Sequence, residues 1–63
     1  MEFKIKERRE EAGISQEELA KRAGVSRTII SGLESGTITT TTTKTIAKIA
    51  EALGLKVSDI FVA

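Results

Sequence analysis

The sequence has no cysteine, histidine, tryptophan, tyrosine or proline, and it has only two phenylalanines. Without cysteine and histidine, the chain forms no disulfides and offers no thiolate or imidazole to a metal ion. No apolar run approaches the roughly 18 residues of a membrane span, and the segment MEFKIKERRE lacks the apolar centre of a signal peptide. We therefore expect a cytoplasmic protein that carries no cofactor.

Residues that perform enzymatic chemistry are also scarce. Asp59 is the sole aspartate, and neither of the glycine-rich phosphate loops GxGxxG and GxxxxGK occurs. With no histidine or cysteine, the sequence shows no pairing of a nucleophile with a base and no metal cluster. We expect a binding protein and not an enzyme.

The length and the charge limit what such a protein can be. The chain has 63 residues, and we expect residues 1–63 to form a single domain. A domain of this size buries about 60% of the surface of its unfolded chain, so its stability is modest. Ten Lys and Arg oppose nine Asp and Glu, which gives a net charge of +1. An acidic partner must therefore be attracted by the distribution of charge, because the sum is small.

The most informative segment contains two short helices joined by a tight corner. Ser15 and Glu18 have the spacing of a capping box, which predicts a helix that begins after Ser15 and ends at Gly24. Ser26 is a second N-cap, and the helix that it starts ends at Gly36. The connection is too short for an antiparallel pair, so the helices cross steeply. This is helix-turn-helix geometry, in which the second helix enters the major groove of DNA.

The segment ISQEELAKRAGVSRTIISGLESG resembles the core of the phage repressor and Cro type of helix-turn-helix regulator, the XRE family. REEAG before it and TIAKIAEALGL after it are similar to the family as well, so the resemblance covers nearly the whole chain. It implies an all-α, five-helix, lambda-repressor-like DNA-binding domain. It also implies an ion pair between Arg9 and Glu34, because the family pairs the corresponding arginine and glutamate.

The remaining helices are predicted by helix formers and by apolar periodicity. A first helix is expected over residues 4–12, and a fourth carries Ile46, Ile49 and Leu53 on one face. Ser58 is expected to cap a short last helix. We expect Phe3 to pack against the C-terminus. The predicted core consists of Ile5, Leu19, Ala20, Ala23, Val25, Ile30, Leu33, Ile46, Ile49, Ala50, Leu53, Val57, Ile60 and Phe61.

The second helix of the corner presents small polar residues on its outward face. Steps of 100° per residue turn Thr28 and Ser31 away from the core. Arg27 has the donor geometry to read a guanine, Thr28 and Ser31 can hydrogen-bond to several bases, and Ile29 can contact a thymine methyl group. We interpret these four residues as DNA-binding, and for Arg27 the alternative is an ordinary surface arginine.

Gly32 falls on the same outward face, where many family members carry a long polar side chain. Glycine inside a helix is less favourable than alanine by roughly 0.8 to 1 kcal/mol. One interpretation is that the missing side chain lets the backbone approach DNA closely, and the other is that glycine is simply tolerated. Both predict that Gly32→Ala raises the melting temperature.

Two further segments are candidates for phosphate contacts. Gln16 lies at the start of the first helix of the corner, where free amides attract an anion. The threonine-rich run over residues 37–45 departs from the family, which usually has basic residues and often a proline there. We interpret it as a loop followed by a helix start capped near residue 41 or 42, with a flexible polar linker as the alternative. The candidate phosphate ligands of this run are Thr40, Thr41, Thr42 and Lys44.

The leading hypothesis is sequence-specific binding of double-stranded DNA and regulation of transcription by repression. Since one such domain reads few base pairs, we expect a palindromic operator and a homodimer, at least on DNA. The C-terminal face near Leu55, Phe61 and Val62 is a candidate dimer interface. The alternative is a small partner-binding protein of the same fold, such as an antitoxin or an anti-repressor, and an exposed apolar patch would favour it.

Overall fold

The computed structural model describes residues 2–62, which contain five helices and two short strands. In chain order these are β1 (Glu2–Phe3), α1 (Ile5–Glu11), α2 (Gln16–Ala23), α3 (Arg27–Ser35), α4 (Thr43–Ala52), α5 (Val57–Ile60) and β2 (Phe61–Val62). The five helices confirm the all-α, lambda-repressor-like fold class. None of the helices within residues 2–62 has the length and apolar character needed to cross a membrane.

Hydroxyl caps begin the three central helices at the predicted positions. The Oγ atoms of Ser15 and Ser26 accept the amide hydrogens of the third helical residues of α2 and α3, at 3.0 and 3.3 Å. Thr42 Oγ1 accepts from the Thr45 amide at 3.2 Å and begins α4 in the same way. One expected detail is wrong, because the Glu18 carboxylate does not complete a capping box. It accepts from Arg22 Nε one turn later, at 2.8 Å.

The corner between α2 and α3 is fixed by backbone hydrogen bonds. Gly24 adopts the left-handed conformation with φ of +70°, which a residue with a side chain rarely does. Its N–H donates to the Lys21 carbonyl at 3.3 Å, and the Val25 N–H reaches back to the Ala20 carbonyl at 3.0 Å. These two hydrogen bonds close α2 and set the direction in which α3 leaves. The predicted corner between the two helices therefore has a local cause.

The core lies between α2, α3 and α4, with α1 and α5 closing its ends. Among the residues that the structure describes, ten apolar residues are buried, and all ten were expected from the sequence. They are Ile5, Leu19, Ala20, Ala23, Ile30, Leu33, Ile46, Ile49, Ala50 and Ile60. Val25, Leu53 and Phe61 are only partly buried. Phe3, Ile14, Ile29 and Ile38 pack against this core although the predicted set omits them.

The chain ends meet in a feature that the sequence did not predict. β1 and β2 pair as antiparallel strands, with Phe3 opposite Phe61. The two rings lie edge to face with centroids 5.8 Å apart. The Lys4 N–H then donates to the Ile60 carbonyl at 2.7 Å and extends the pairing. The expectation that Phe3 packs against the C-terminus is confirmed, and a short strand pair accompanies the contact.

The last helix differs from its predicted form. α5 begins at Val57, so Ser58 lies inside it and is not its cap. The Asp59 carboxylate instead accepts the Lys56 N–H at 2.9 Å and closes the first turn from within. Val57 is the first residue of this helix and is 36% exposed. Its assignment to the core was wrong.

Candidate nucleic-acid interface

The exposed face of α3 carries the residues that the sequence assigns to base contacts. Arg27, Thr28 and Ser31 are exposed, while Ile29 is partly buried against the core. Ile30 and Leu33 are buried beneath them, as the helical periodicity predicts. Arg27 is the first residue of the helix and directly follows the Ser26 cap. A polar, narrow ridge with a cation at its N-terminal end therefore projects from the molecule.

Gly32 does not occupy the open position that the sequence predicts. It is buried, because the Ile38 side chain folds over it. A Cβ atom at residue 32 would lie 2.6 Å from Ile38 Cγ1 and closer still to Ile38 Cδ1. The Ile38 N–H also donates to the Gly32 carbonyl at 3.0 Å. The Ile38 side chain would have to shift to admit a methyl group at residue 32, and this shift opposes the gain in helix propensity on which the expected rise in melting temperature depends.

A groove lies between the ridge of α3 and the segment that follows the helix, and it includes residues that sequence reasoning missed. Its lining comprises Arg27, Thr28, Ser31, Gly32, Ser35, Thr37 and Ile38. The last two belong to the segment that follows α3. Gly36, with φ of +84°, turns the chain back so that this segment lies beside the helix. The sequence contains a signal for this return, namely one apolar residue, Ile38, within a run of threonines.

The predicted Arg9–Glu34 pair is present and ties α1 to α3. Arg9 Nε donates to Glu34 Oε2 at 2.8 Å, and Nη2 donates to Oε1 at 3.1 Å. The exposed fractions of the two side chains are 12% and 3%, so the pair is largely shielded from water. Arg9 Nη1 also donates to the Ile14 carbonyl at 2.8 Å, in the loop before α2. One guanidinium thus connects three parts of the chain.

The environment of Glu34 stabilises its charged form. Burial alone raises the pKa of a carboxyl group, but hydrogen bonds from Arg9 and Gln16 and the Arg9 charge outweigh it. The pKa of Glu34 is consequently lowered from its ordinary value. The hydrogen bond to Glu34 raises the pKa of Arg9. Both groups are charged at neutral pH, and they hold the C-terminal half of α3 against α1.

Gln16 has a structural partner at the position where the sequence predicts a phosphate contact. Its Nε2 donates to Glu34 Oε1 at 3.1 Å, and its side chain is partly buried. A carboxamide has two N–H groups, and the bond to Glu34 uses one of them. Gln16 thereby couples the start of α2 to the Arg9–Glu34 pair. Its contact with DNA stays a prediction.

The threonine-rich run separates into residues with different surroundings. Thr40 and Lys44 are exposed. Thr41 is partly buried and lines a small apolar recess with Phe3 and Ile46. Thr42 uses its hydroxyl to cap α4 and also lies 2.9 Å from the Thr45 hydroxyl. The loop-then-helix interpretation is confirmed, and the phosphate contacts of this run stay predictions.

The distribution of charge leaves both of the predicted DNA-binding cations outside the described ion pairs. Three ion pairs within residues 2–62 use Arg8, Arg9 and Arg22 as their cations. None of these described pairs uses Arg27 or Lys44. Both are exposed, one at the start of α3 and the other in the first turn of α4. These two positive charges are available to an external anion.

Comparison with known proteins gives matches along most of the chain. A family model described as helix-turn-helix matches residues 5–60. A relative in Archaeoglobus fulgidus, called an uncharacterized HTH-type transcriptional regulator, is 44% identical over 62 residues, which are 98% of this chain and 86% of the relative. A relative of the same description in Methanothermobacter thermautotrophicus is 44% identical over 59 residues, or 92% of this chain and 84% of that protein.

Proposed function

The chain belongs to the XRE-type helix-turn-helix family of DNA-binding transcription regulators, and from this premise we propose that it represses transcription by placing α3 in the major groove of an operator. The observation that carries the proposal is the exposed polar ridge of α3, with Arg27 at its N-terminal end. Helix-turn-helix proteins contact base edges with the N-terminal residues of the second helix. Arg27, Thr28 and Ser31 are the residues in that place.

The roles within the ridge follow from side-chain chemistry. Arg27 forks onto the O6 and N7 atoms of a guanine, since these two acceptors match a guanidinium. Thr28 and Ser31 carry hydroxyl groups that donate to or accept from several bases. Ile29 is partly buried and offers an apolar edge to a thymine methyl group. Because hydroxyl groups discriminate weakly between bases, Arg27 supplies most of the polar selectivity.

Phosphate contacts flank this ridge and set the position of the protein on the duplex. The N-terminus of α2 with Gln16 and the segment from Thr40 to Lys44 supply amides, hydroxyl groups and one cation. The capped starts of α2 and α4 both bring free backbone N–H groups and the positive end of a helix dipole. These contacts increase the affinity for DNA without adding sequence preference.

A pair of copies on a palindromic operator completes the proposal. One domain reads only a few base pairs, so two copies related by a two-fold axis, about one helical turn apart, give a useful site length. Such occupancy in the cytoplasm excludes polymerase and represses transcription. The alternative function, binding to another protein as an antitoxin or anti-repressor does, is less well supported. It would be favoured by an exposed apolar patch, and Val57 is the sole large apolar side chain that is exposed among the described residues.

Selection of binding sites from a random duplex library tests this function. We expect wild-type protein to enrich a two-fold symmetric sequence. Arg27→Ala should lose preference at one guanine in each half-site, with a discrimination loss of about 1 to 3 kcal/mol per contact. Lys56→Ala is the matched control, because Lys56 is an exposed cation at the start of α5 and outside the ridge. No enrichment by wild-type protein would refute the proposal.

A further inference from the structure

The outward face of α3 includes a side chain that does not belong to the helix. Ile38 lies beyond the Gly36 turn, yet its Cδ1 and Cγ1 atoms occupy the space where a side chain at residue 32 would begin. The Ile38 N–H is bonded to the Gly32 carbonyl, which fixes the backbone of the returning segment at the helix. A branched apolar group thus replaces the helix's own side chain at the centre of the ridge.

The neighbours of Ile38 are the residues proposed to read bases. Arg27, Thr28 and Ser31 line the same groove as Ile38 and Gly32. Ile38 is partly buried, so one side packs on the protein and another faces solvent. A surface of this kind, apolar and held in place by backbone hydrogen bonding, has little to offer a phosphate. In the major groove its complement is the C5-methyl group of thymine.

Building on the proposed function, we infer that Ile38 is a specificity-determining residue that contacts a thymine methyl group in the operator. Gly32 is its structural partner, because any side chain there would displace Ile38 from the groove. The helix supplies polar contacts through Arg27, Thr28 and Ser31, and the segment after it supplies an apolar contact in addition to that of Ile29. Sequence reading is thereby shared between α3 and the chain that follows it.

Replacing thymine by uracil removes only the methyl group and provides a direct test. The duplex selected by wild-type protein is synthesised with each thymine changed to uracil in turn. At each position we measure the uracil ratio, which is the affinity for the thymine duplex divided by the affinity for the uracil duplex. Loss of one buried methyl-sized group is worth about 0.8 kcal/mol, so we expect a loss of about fourfold at the thymine that Ile38 contacts in each half-site, separate from the loss at the thymine assigned to Ile29. In Ile38→Thr, which replaces the apolar end by a hydroxyl group, we expect that ratio to fall to about one.

Two control variants separate this role from a packing role. Ile29→Thr makes the same change on α3 itself and should lose the uracil ratio at its own thymine while keeping the ratio at the thymine that Ile38 contacts. Val57→Thr makes a comparable change at an exposed apolar residue far along the chain and should keep both ratios. Because the ratio compares two duplexes with one protein sample, partial unfolding of a variant cancels from it. Thermal melting of each variant records any loss of stability separately.

The outcomes distinguish this inference from the function on which it rests. If wild-type protein selects an operator but no uracil substitution weakens binding, the inference is wrong and the proposed function stands. The inference is also wrong if Ile38→Thr weakens all duplexes equally and leaves the ratio unchanged, because Ile38 then acts only in packing. If wild-type protein selects no sequence, both are overturned.

Discussion

At the scale of single residues, Gly32 is explained by its neighbour and needs no ligand. Gly32→Ala is expected to lower the melting temperature, because overpacking a filled site costs about 1 to 3 kcal/mol and outweighs the better helix propensity of alanine. The site is filled by Ile38, whose Cγ1 atom would lie 2.6 Å from the new Cβ. Thermal and urea unfolding of the variant measure the effect.

Ile38→Ala provides the control background for this prediction. With the large side chain removed, the methyl group at residue 32 has room, and Gly32→Ala should become neutral or stabilising by up to about 1 kcal/mol. The two substitutions should therefore show a coupling energy, as residues in contact do. Equal stabilisation by Gly32→Ala in both backgrounds would mean that Ile38 does not cover Gly32 in solution.

The orientation of α3 could be predicted from the sequence, whereas the cover over Gly32 could not. Periodicity correctly placed Ile30 and Leu33 inside and Thr28 and Ser31 outside, since it depends only on local helix geometry. The position of Ile38 depends on the turn at the end of α3 and on packing between segments. A helical wheel contains neither, so it presented Gly32 as open.

At the scale of the helices, the Arg9–Glu34 pair is the polar connection between α1 and α3. Arg9→Met should destabilise the domain by about 3 kcal/mol, because it leaves a carboxylate shielded from water without its cation. Arg22→Met is the matched control. Its pair with Glu18 has exposed fractions of 52% and 42%, and exposed pairs contribute about 0.2 to 1 kcal/mol. Equal losses in urea unfolding would contradict a special role for Arg9.

The same pair predicts a dependence of stability on pH. The folded-state pKa of Glu34 lies below its ordinary value of 4.5, so the folded state binds this proton more weakly than the unfolded state. The resulting stability is fully present above pH 4.5 and is lost as the pH falls below it toward the folded-state pKa. Glu34→Gln removes this contribution. Its free energy of unfolding should fall less steeply than that of wild-type protein as the pH is lowered below 4.5, as chemical denaturation can show.

The central helices were predictable because their ends are local signals. Ser15, Ser26 and Thr42 each cap the helix that follows, and each cap involves residues only three positions apart. α5 was misplaced because its first turn is closed by Asp59 from inside the helix, which freed Ser58 from capping. The strand pair of β1 and β2 joins opposite ends of the chain, so no local pattern announces it.

At the scale of the whole molecule, a net charge of +1 coexists with a proposed affinity for DNA. Arg27 and Lys44 are exposed outside the described ion pairs, whereas the pairing of Glu11, Glu18 and Glu34 with arginines removes equal numbers of positive and negative charges. Phosphate neutralisation depends on local cations and on amides at helix starts. Net charge alone therefore understates the attraction.

The dependence of affinity on salt concentration measures how many phosphates the bound protein neutralises, and with it the number of bound copies. The logarithm of the association constant should fall linearly with the logarithm of salt concentration, by about 0.9 per neutralised phosphate. Lys44→Ala should weaken all duplexes alike and make the slope shallower by about 0.9 for each bound copy, hence by about 1.8 on a palindrome occupied by two. Lys56→Ala should leave the slope unchanged, because Lys56 lies at the start of α5, away from the ridge. A wild-type affinity that is flat in salt would contradict phosphate-driven binding, and a change of about 0.9 for Lys44→Ala on the palindrome would indicate one bound copy.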